Sequence, residues 1–261
     1  MGDQPAGCAE SAIGCAAPGY GYSGVSEHVR SRSRRRVQAP AAMTADMARR
    51  IDEALRSLAP TWVRTGVRTI DMRALDGMWP SERAAVAGAM DRRQAEFATG
   101  RALLRQLIGD DVEIRVGSDR RPLLPPGVTG SLAHDQEIAV AATTTRSTCC
   151  ALGVDIEPLA VFSRDEARMI LRPEERHLDA HLDFVLKEAV YKAWSSLGGQ
   201  MLDHHEVVVD VDESGRDFTA IVGSVPATFS GSYVVTENRH LALVVVEETR
   251  PPILPDVPDR T

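Results

Sequence analysis

Aromatic residues are scarce, at 5% of 261 positions, and there are only four cysteines. Cys8, Cys15, Cys149 and Cys150 form no Cys-x-x-Cys pair and show no zinc-site spacing. That excludes a disulfide framework and fits a reducing compartment. Long apolar runs are also missing. The longest purely aliphatic stretch, Leu241 to Val246, is far too short to cross a bilayer. The start of the chain lacks the basic-then-apolar pattern of a secretory signal. Nor is there an excess of positive charge: 30 Lys and Arg stand against 37 Asp and Glu, a net charge of −7, which does not favour nucleic acid as a partner. These absences predict a soluble cytoplasmic protein with no membrane association.

What is present suits an ordinary globular chain, 43% apolar and 26% charged, long enough for one large domain or two smaller ones. Residues 1–42 are rich in Gly, Ala and Ser and carry Arg30, Arg32, Arg34, Arg35 and Arg36. Such a composition buries too little apolar area to offset ordering entropy, so disorder is expected there. It reads as a dispensable extension or as a basic arm for an acidic partner, and Met43 offers an alternative start. Helical periodicity runs from Ala45 to Leu58, and from Ser81 to Ile108 as one long helix or two abutting ones. A third helix runs from Phe184 to Ser195, and Leu171 to Arg176 reads as a helix start. Strands are expected at Val63 to Ile70, Asp111 to Val116, Ile138 to Ala142 and Ala151 to Ile156. A hairpin follows at Val207 to Val211 and Asp217 to Val222, then strands at Ala227 to Val235 and Leu241 to Val246. Pro122 to Gly130 reads as a structured loop.

An internal repeat is visible. "WPSERAAVAGAMDRRQAEFATGRALLRQLIG" and "LRPEERHLDAHLDFVLKEAVYKAWSSLGG" share a Pro-x-Glu-Arg opening, a Phe on the apolar face and a glycine exit. The expected organisation is α+β: two pseudo-symmetric α/β subdomains with mainly antiparallel sheets, each packing a long helix, with a ligand cleft between them. The division is 43–150 and 151–250, with a tail at 251–261.

Two stretches concentrate chemistry. In Gly153-Val154-Asp155-Ile156-Glu157-Pro158, strand alternation puts both carboxylates on one face and both aliphatics on the other, and Pro158 ends the ladder. In Phe184 to Trp194, helical spacing groups Phe184, Lys187, Glu188, Tyr191 and Lys192. If that helix faces the strand, three carboxylates converge beside lysines. Such a site suits a hard divalent cation carrying a phosphate ester. Upstream, Arg93, Arg101 and Arg105 lie among apolar helix positions, where two of them would be phosphate ligands or all three a solvated face.

The segments "RRQAEFATGR", "RPLLPPGVTGSLAH", "GVDIEP" and "FVLKEAVYKAW", in this order, resemble the 4'-phosphopantetheinyl transferases. The match is to the larger monomeric class serving non-ribosomal peptide, polyketide and siderophore synthases. The resemblance spans Ser81 to Gly199. It implies transfer of phosphopantetheine from coenzyme A to a serine of an apo acyl or peptidyl carrier protein, releasing adenosine 3',5'-bisphosphate. It also implies Mg²⁺ held by Asp155, Glu157 and Glu188, with Glu188 or a metal-bound water as the base. Lys192 and His134 would contact phosphate, and Arg93, Arg101 and Arg121 would receive the phosphates of coenzyme A. Lys187 would be a ligand contact or a supporting ion pair. Two positions depart from the pattern: Ala133 stands where the family has a hydroxyl residue, which Ser131 need not replace, and Ser195-Ser196 stand where it often has Phe-Pro.

Competing expectations are a non-catalytic carrier-protein or nucleotide-binding module, and another metal-dependent phosphodiester hydrolase. His177 with His181, at i and i+4, and the adjacent His204 and His205 lack accompanying ligands. They are expected on a solvent-facing helix and loop rather than at a metal.

Overall fold

A computed structural model describes residues 45–175, 179–212, 215–223 and 227–248. The expectations for residues 1–42, Met43, His177 and the tail lie outside these residues.

The helices are α1 (Ala45–Leu58), α2 (Pro80–Ala85), α3 (Asp91–Ile108), α4 (Arg164–Ile170) and α5 (Ala180–Ser196). The strands are β1 (Arg64–Thr69), β2 (Thr129–His134), β3 (Ile138–Thr144), β4 (Cys149–Pro158), β5 (Val207–Val211), β6 (Asp217–Val222), β7 (Ala227–Thr236) and β8 (Arg239–Glu247). They form two antiparallel sheets, β1-β3-β2 and β4-β8-β7-β6-β5. In each sheet the first strand of the half pairs with its last, which in turn pairs with the strand before it. The long helix between them covers one face. The chain is therefore α+β with a repeated plan.

Strand alternation distributes the core. In β3, Ala139 and Ala141 meet Leu103, Leu104 and Leu107 of α3, while Val140 and Ala142 join a core shared by both halves. That core also takes Ile51 and Leu55 from α1 and Val154 and Ile156 from β4. The opposite face of the larger sheet packs on Phe184, Val185, Ala189 and Ala193 of α5. The sheets meet where β2 runs beside β4: Thr129 Oγ1 donates to Cys149 O at 3.2 Å, and Val154 N donates to Ser131 Oγ at 3.0 Å. The contacts advance together along both strands, so β2 and β4 run the same way.

The repeat in sequence is a repeat in packing. Glu82 and Glu175 each stand two residues after a proline, and both are buried. One oxygen accepts the N–H preceding that proline, Trp79 N at 3.1 Å and Arg172 N at 2.9 Å. The other accepts an N–H beyond the long helix, Ile114 N at 2.8 Å and Val209 N at 2.7 Å. Each carboxylate also meets a cation from its long helix, Arg105 or Lys187, both at 2.7 Å. The glycine exits adopt left-handed backbone, Gly109 at φ 83° and Gly198 at φ 84°.

Several expected elements differ. Of the two alternatives for residues 81–108, two helices form, but they are separated between Ala85 and Asp91 rather than abutting. Asp111 to Val116 is extended but has no strand ladder; only Val116 bridges Pro122. Ile114 pairs with side chains instead, its N with Glu82 and its O with Arg101 Nε, while Arg115 O accepts from Leu123 N at 2.9 Å. The helix start read at Leu171 is a short 3₁₀ turn, Pro173–Glu175, and α5 begins later, capped by Asp179. The loop read at Pro122 to Gly130 is shorter, since β2 begins at Thr129 and ends at His134.

Candidate active site

α5 crosses β4 at very short range, and this crossing creates the site. A methyl group built on Gly153 would lie 1.9 Å from Ala189 O, so only glycine permits the approach. Asp155 and Glu157 continue the Gly153 face of β4 towards α5. Asp155 is buried and Glu157 half-buried. Lys192 Nζ closes on Asp155 Oδ1 at 2.6 Å and on Val154 O at 2.9 Å. Glu188, one turn earlier on α5, is also buried, with Oε1 3.5 Å from His204 Nε2. Across the ladder, Asp155 faces Ala242 and Glu157 faces His240.

The first half adds basic groups at the same end of the seam. His134 terminates β2, whose direction matches that of β4, so its ring emerges at the end where Asp155 and Glu157 do. Arg93 Nη1 lies 2.9 Å from His134 Nε2, while His134 Nδ1 lies 3.3 Å from Asp135 O. This fits the tautomer with hydrogen on Nδ1 and Nε2 accepting from the guanidinium. Arg121 is oriented by Asp119 at 2.5 Å, and its Nη1 donates to Ser195 O at 2.5 Å, at the C-terminal end of α5. Tyr191 lies within electrostatic reach of Glu188, Asp119 and Arg121. Burial pushes its hydroxyl pKa up, and the negative charges of Glu188 and Asp119 add to that.

Arg93, Phe97, Arg101 and Arg105 succeed one another at four-residue spacing along α3. Arg101 is buried over the Phe97 ring, 4.3 Å from its centroid, and its Nε donates to Ile114 O at 2.8 Å. Burial brings its pKa down to about 10. Arg105 is taken up by Glu82, Gly77 O and Val112 O.

Lys187 departs from the expected cofactor contact. Its fully buried ammonium is held by Glu175 at 2.7 Å, Asp183 at 2.9 Å and Ile170 O at 2.8 Å. The neighbouring position on a helix is turned about 100°, which sends Lys187 into the core while Glu188 faces β4. It is the supporting ion pair of the two alternatives. Ser131 is occupied at the seam and does not stand in for the hydroxyl missing at Ala133. Ser195 and Ser196 both donate to Lys192 O, at 3.2 and 2.8 Å.

The histidines correct another expectation. His181 and His204 are buried, at 5% and 1% exposure, rather than solvent-facing. His181 Nδ1 meets His240 Nδ1 at 3.2 Å, and the His204 ring stacks on Phe184 with 5.4 Å between centroids. Only His205 of the adjacent pair is exposed. Sequence reasoning missed His204, because nothing in "LDHHEV" shows which of two neighbouring histidines turns inward.

Among the described residues, no three His, Cys, Asp or Glu side chains are drawn together closely enough to hold an ion as they stand. The donor chemistry nevertheless fits a hard cation: Asp155, Glu157 and Glu188 offer carboxylate oxygens, with no thiolate among them. A cavity of about 830 Å³ lies elsewhere, lined by Leu58, Pro60, Asp210, Phe218 and Gly231. It touches none of the residues above. No helix among the described residues is long and apolar enough to cross a membrane.

Comparison with known proteins converges on the same stretches. Residues 81–144 match the 4'-phosphopantetheinyl transferase N-terminal domain, and residues 151–244 match the 4'-phosphopantetheinyl transferase superfamily. The chain is 33% identical over 189 residues to the 4'-phosphopantetheinyl transferase Svp of Streptomyces mobaraensis, covering 64% of this chain and 75% of that protein. It is 30% identical over 194 residues to the 4'-phosphopantetheinyl transferase PptT of Mycobacterium tuberculosis, covering 64% and 85%. With the 4'-phosphopantetheinyl transferase Npt of Nocardia iowensis it shares 28% identity over 154 residues, covering 53% and 69%.

Proposed function

The chain belongs to the 4'-phosphopantetheinyl transferase superfamily, and from that premise we propose that it modifies an apo carrier protein of non-ribosomal peptide, polyketide or siderophore synthesis in a Mg²⁺-dependent reaction. The serine hydroxyl oxygen of the carrier attacks the phosphorus bearing pantetheine in coenzyme A. A new P–O bond forms to serine, the diphosphate P–O bond breaks, and adenosine 3',5'-bisphosphate leaves with the electron pair. Glu188 accepts the serine proton, directly or through one water. Lys192 holds a diphosphate oxygen as a point charge, and Arg93, Arg101, Arg121 and His134 receive the phosphates. Asp155, Glu157 and Glu188 would hold Mg²⁺, which supplies neutralisation of the diphosphate charge when bound.

One observation carries the reading: Asp155 with its Lys192 partner is buried on the β4 face that Glu188 also addresses, at a crossing only Gly153 permits. Purified protein with coenzyme A, Mg²⁺ and a panel of apo carriers tests it by intact mass. A carrier that gains the phosphopantetheine mass supports transfer. Bound coenzyme A with no carrier modified removes the transfer reading, and free phosphopantetheine beside unmodified carriers identifies a hydrolase.

A further inference from the structure

His204 opens a short 3₁₀ turn, His204–Glu206, between α5 and β5. That turn holds itself. Asp203 accepts from His205 N at 2.9 Å, Glu206 accepts from Asp203 N at 2.8 Å, and Gly223 N donates to Glu206 O at 2.7 Å. The imidazole of His204 takes part in none of these bonds. It reaches inward, is 1% exposed, and lies flat on Phe184 with ring planes 30° apart. Phe184 precedes Glu188 by four residues, one turn along the same face of α5. The stacking therefore holds the ring with its Nε2 edge 3.5 Å from Glu188 Oε1.

We propose that His204 is a positioning residue for Glu188: its Nε2–H holds one carboxylate oxygen and fixes the carboxylate plane, so the other oxygen meets the reacting hydroxyl in one orientation. A glutamate has three rotatable bonds, and a base that must take a proton at about 3 Å gains from losing that freedom beforehand. At 3.5 Å the pair stands slightly open, as catalytic contacts often do before substrate draws them in. The catalytic consequence rests on the transfer reading above; the pairing itself does not.

Three measurements on the full chain test it. His204→Phe keeps a flat ring on Phe184 and removes the N–H, whereas His204→Gln places an amide N–H near the position of Nε2. In the Phe variant, kcat for carrier modification is expected to fall about 10- to 100-fold, with the KM for coenzyme A and the melting temperature unchanged. The Gln variant is expected to recover most of that loss. In ¹⁵N-histidine-labelled protein without coenzyme A or metal, the His204 Nε2 resonance, assigned by its absence in His204→Phe, should shift in Glu188→Gln and not in Glu157→Gln. A wild-type kcat in His204→Phe overturns the proposal, as does a resonance indifferent to Glu188→Gln. A kcat loss that tracks a collapsed melting temperature, with no recovery in His204→Gln, assigns the ring to packing and also overturns it. If the unmodified protein transfers nothing to any carrier, the transfer reading falls with the catalytic consequence, and the resonance still decides the pairing.

Discussion

α3 and α5 each cross the first strand of their own half at a glycine, but at different depths. At Gly66 on β1 an added methyl would meet Leu103 and Leu107 side chains at 3.1 Å; at Gly153 on β4 it would meet the Ala189 carbonyl oxygen at 1.9 Å. α3 therefore rests on its sheet through leucine side chains, and α5 lies backbone to backbone on its own. The buried glutamate that ties helix, proline turn and following segment together occurs in both halves. Only in the second half does the closer helix bring a carboxylate and a lysine to strand carboxylates. The first half presents arginines and a histidine instead. A shared plan thus carries an acidic wall in one half and a basic wall in the other, with helix depth, side-chain charge and strand number different and the first-last-preceding strand order in common.

The largest effects should come from breaking what the halves share. Glu82→Ala leaves buried Arg105 without its buried carboxylate, Glu175→Ala leaves Lys187 with Asp183 alone, and each also strips two backbone N–H groups of their acceptor, at a cost of about 3–5 kcal/mol. Similar losses in urea denaturation confirm the two clusters as equivalent; a loss in one variant alone makes the likeness superficial. Next comes what distinguishes them. Asp155→Ala on the acidic wall is expected to lower the transfer rate about 10²- to 10³-fold with the fold retained, whereas Arg93→Ala on the basic wall raises the coenzyme A requirement about tenfold. Steady-state kinetics separate the two, and an effect on KM alone in Asp155→Ala would remove it from the chemical step.

The glycine contrast predicts a smaller pair of changes. Gly153→Ala should destabilise by about 3 kcal/mol and Gly66→Ala by about 1 kcal/mol, because leucine side chains yield where a helix backbone does not. Equal shifts would mean that the two helices sit alike. The last effect concerns acid. Burial, and then the neighbouring His240, push His181 down to about 4 from an ordinary 6.5. The unfolded chain binds this proton as pH falls below about 6.5 and the folded chain does not. The associated stability is full above that pH and is lost towards pH 4. His181→Phe should therefore flatten the decline in melting temperature between pH 7 and pH 5, and an unchanged slope would assign the acid sensitivity to other groups.

The legible part of the fold was local. Periodicity located α1, β4, α5 and the β5–β6 hairpin because each buries one face of a regular element. It misread Asp111 to Val116, an extended segment in which the Ile114 backbone pairs with Glu82 and Arg101, distant in sequence. It also misread Leu171 to Arg176, where the proline turn serves a buried glutamate instead of opening α5. In the site, strand alternation at Asp155 and Glu157 and helical spacing at Glu188 and Lys192 were readable from the residues. The inward turn of Lys187 was not, because only Asp183 comes from its own helix, and Glu175 and Ile170 come from a turn and a helix that pattern did not locate.

The amino-acid sequence by itself determined the chemistry on offer: the carboxylates of "GVDIEP", the Lys-Glu and Lys of α5, the arginines of α3 and the twofold Pro-x-Glu plan. These are properties of residue type and short-range period, which a chain carries before it folds. The tertiary structure alone decided which groups meet. Asp155 takes Lys192, Lys187 is withdrawn into the core, Arg93 meets His134, and His204 turns in against Glu188. The reason is that one helix crosses one strand at contact distance, and whether it can is settled by a single missing methyl group at Gly153 together with the packing on both sides of the sheet.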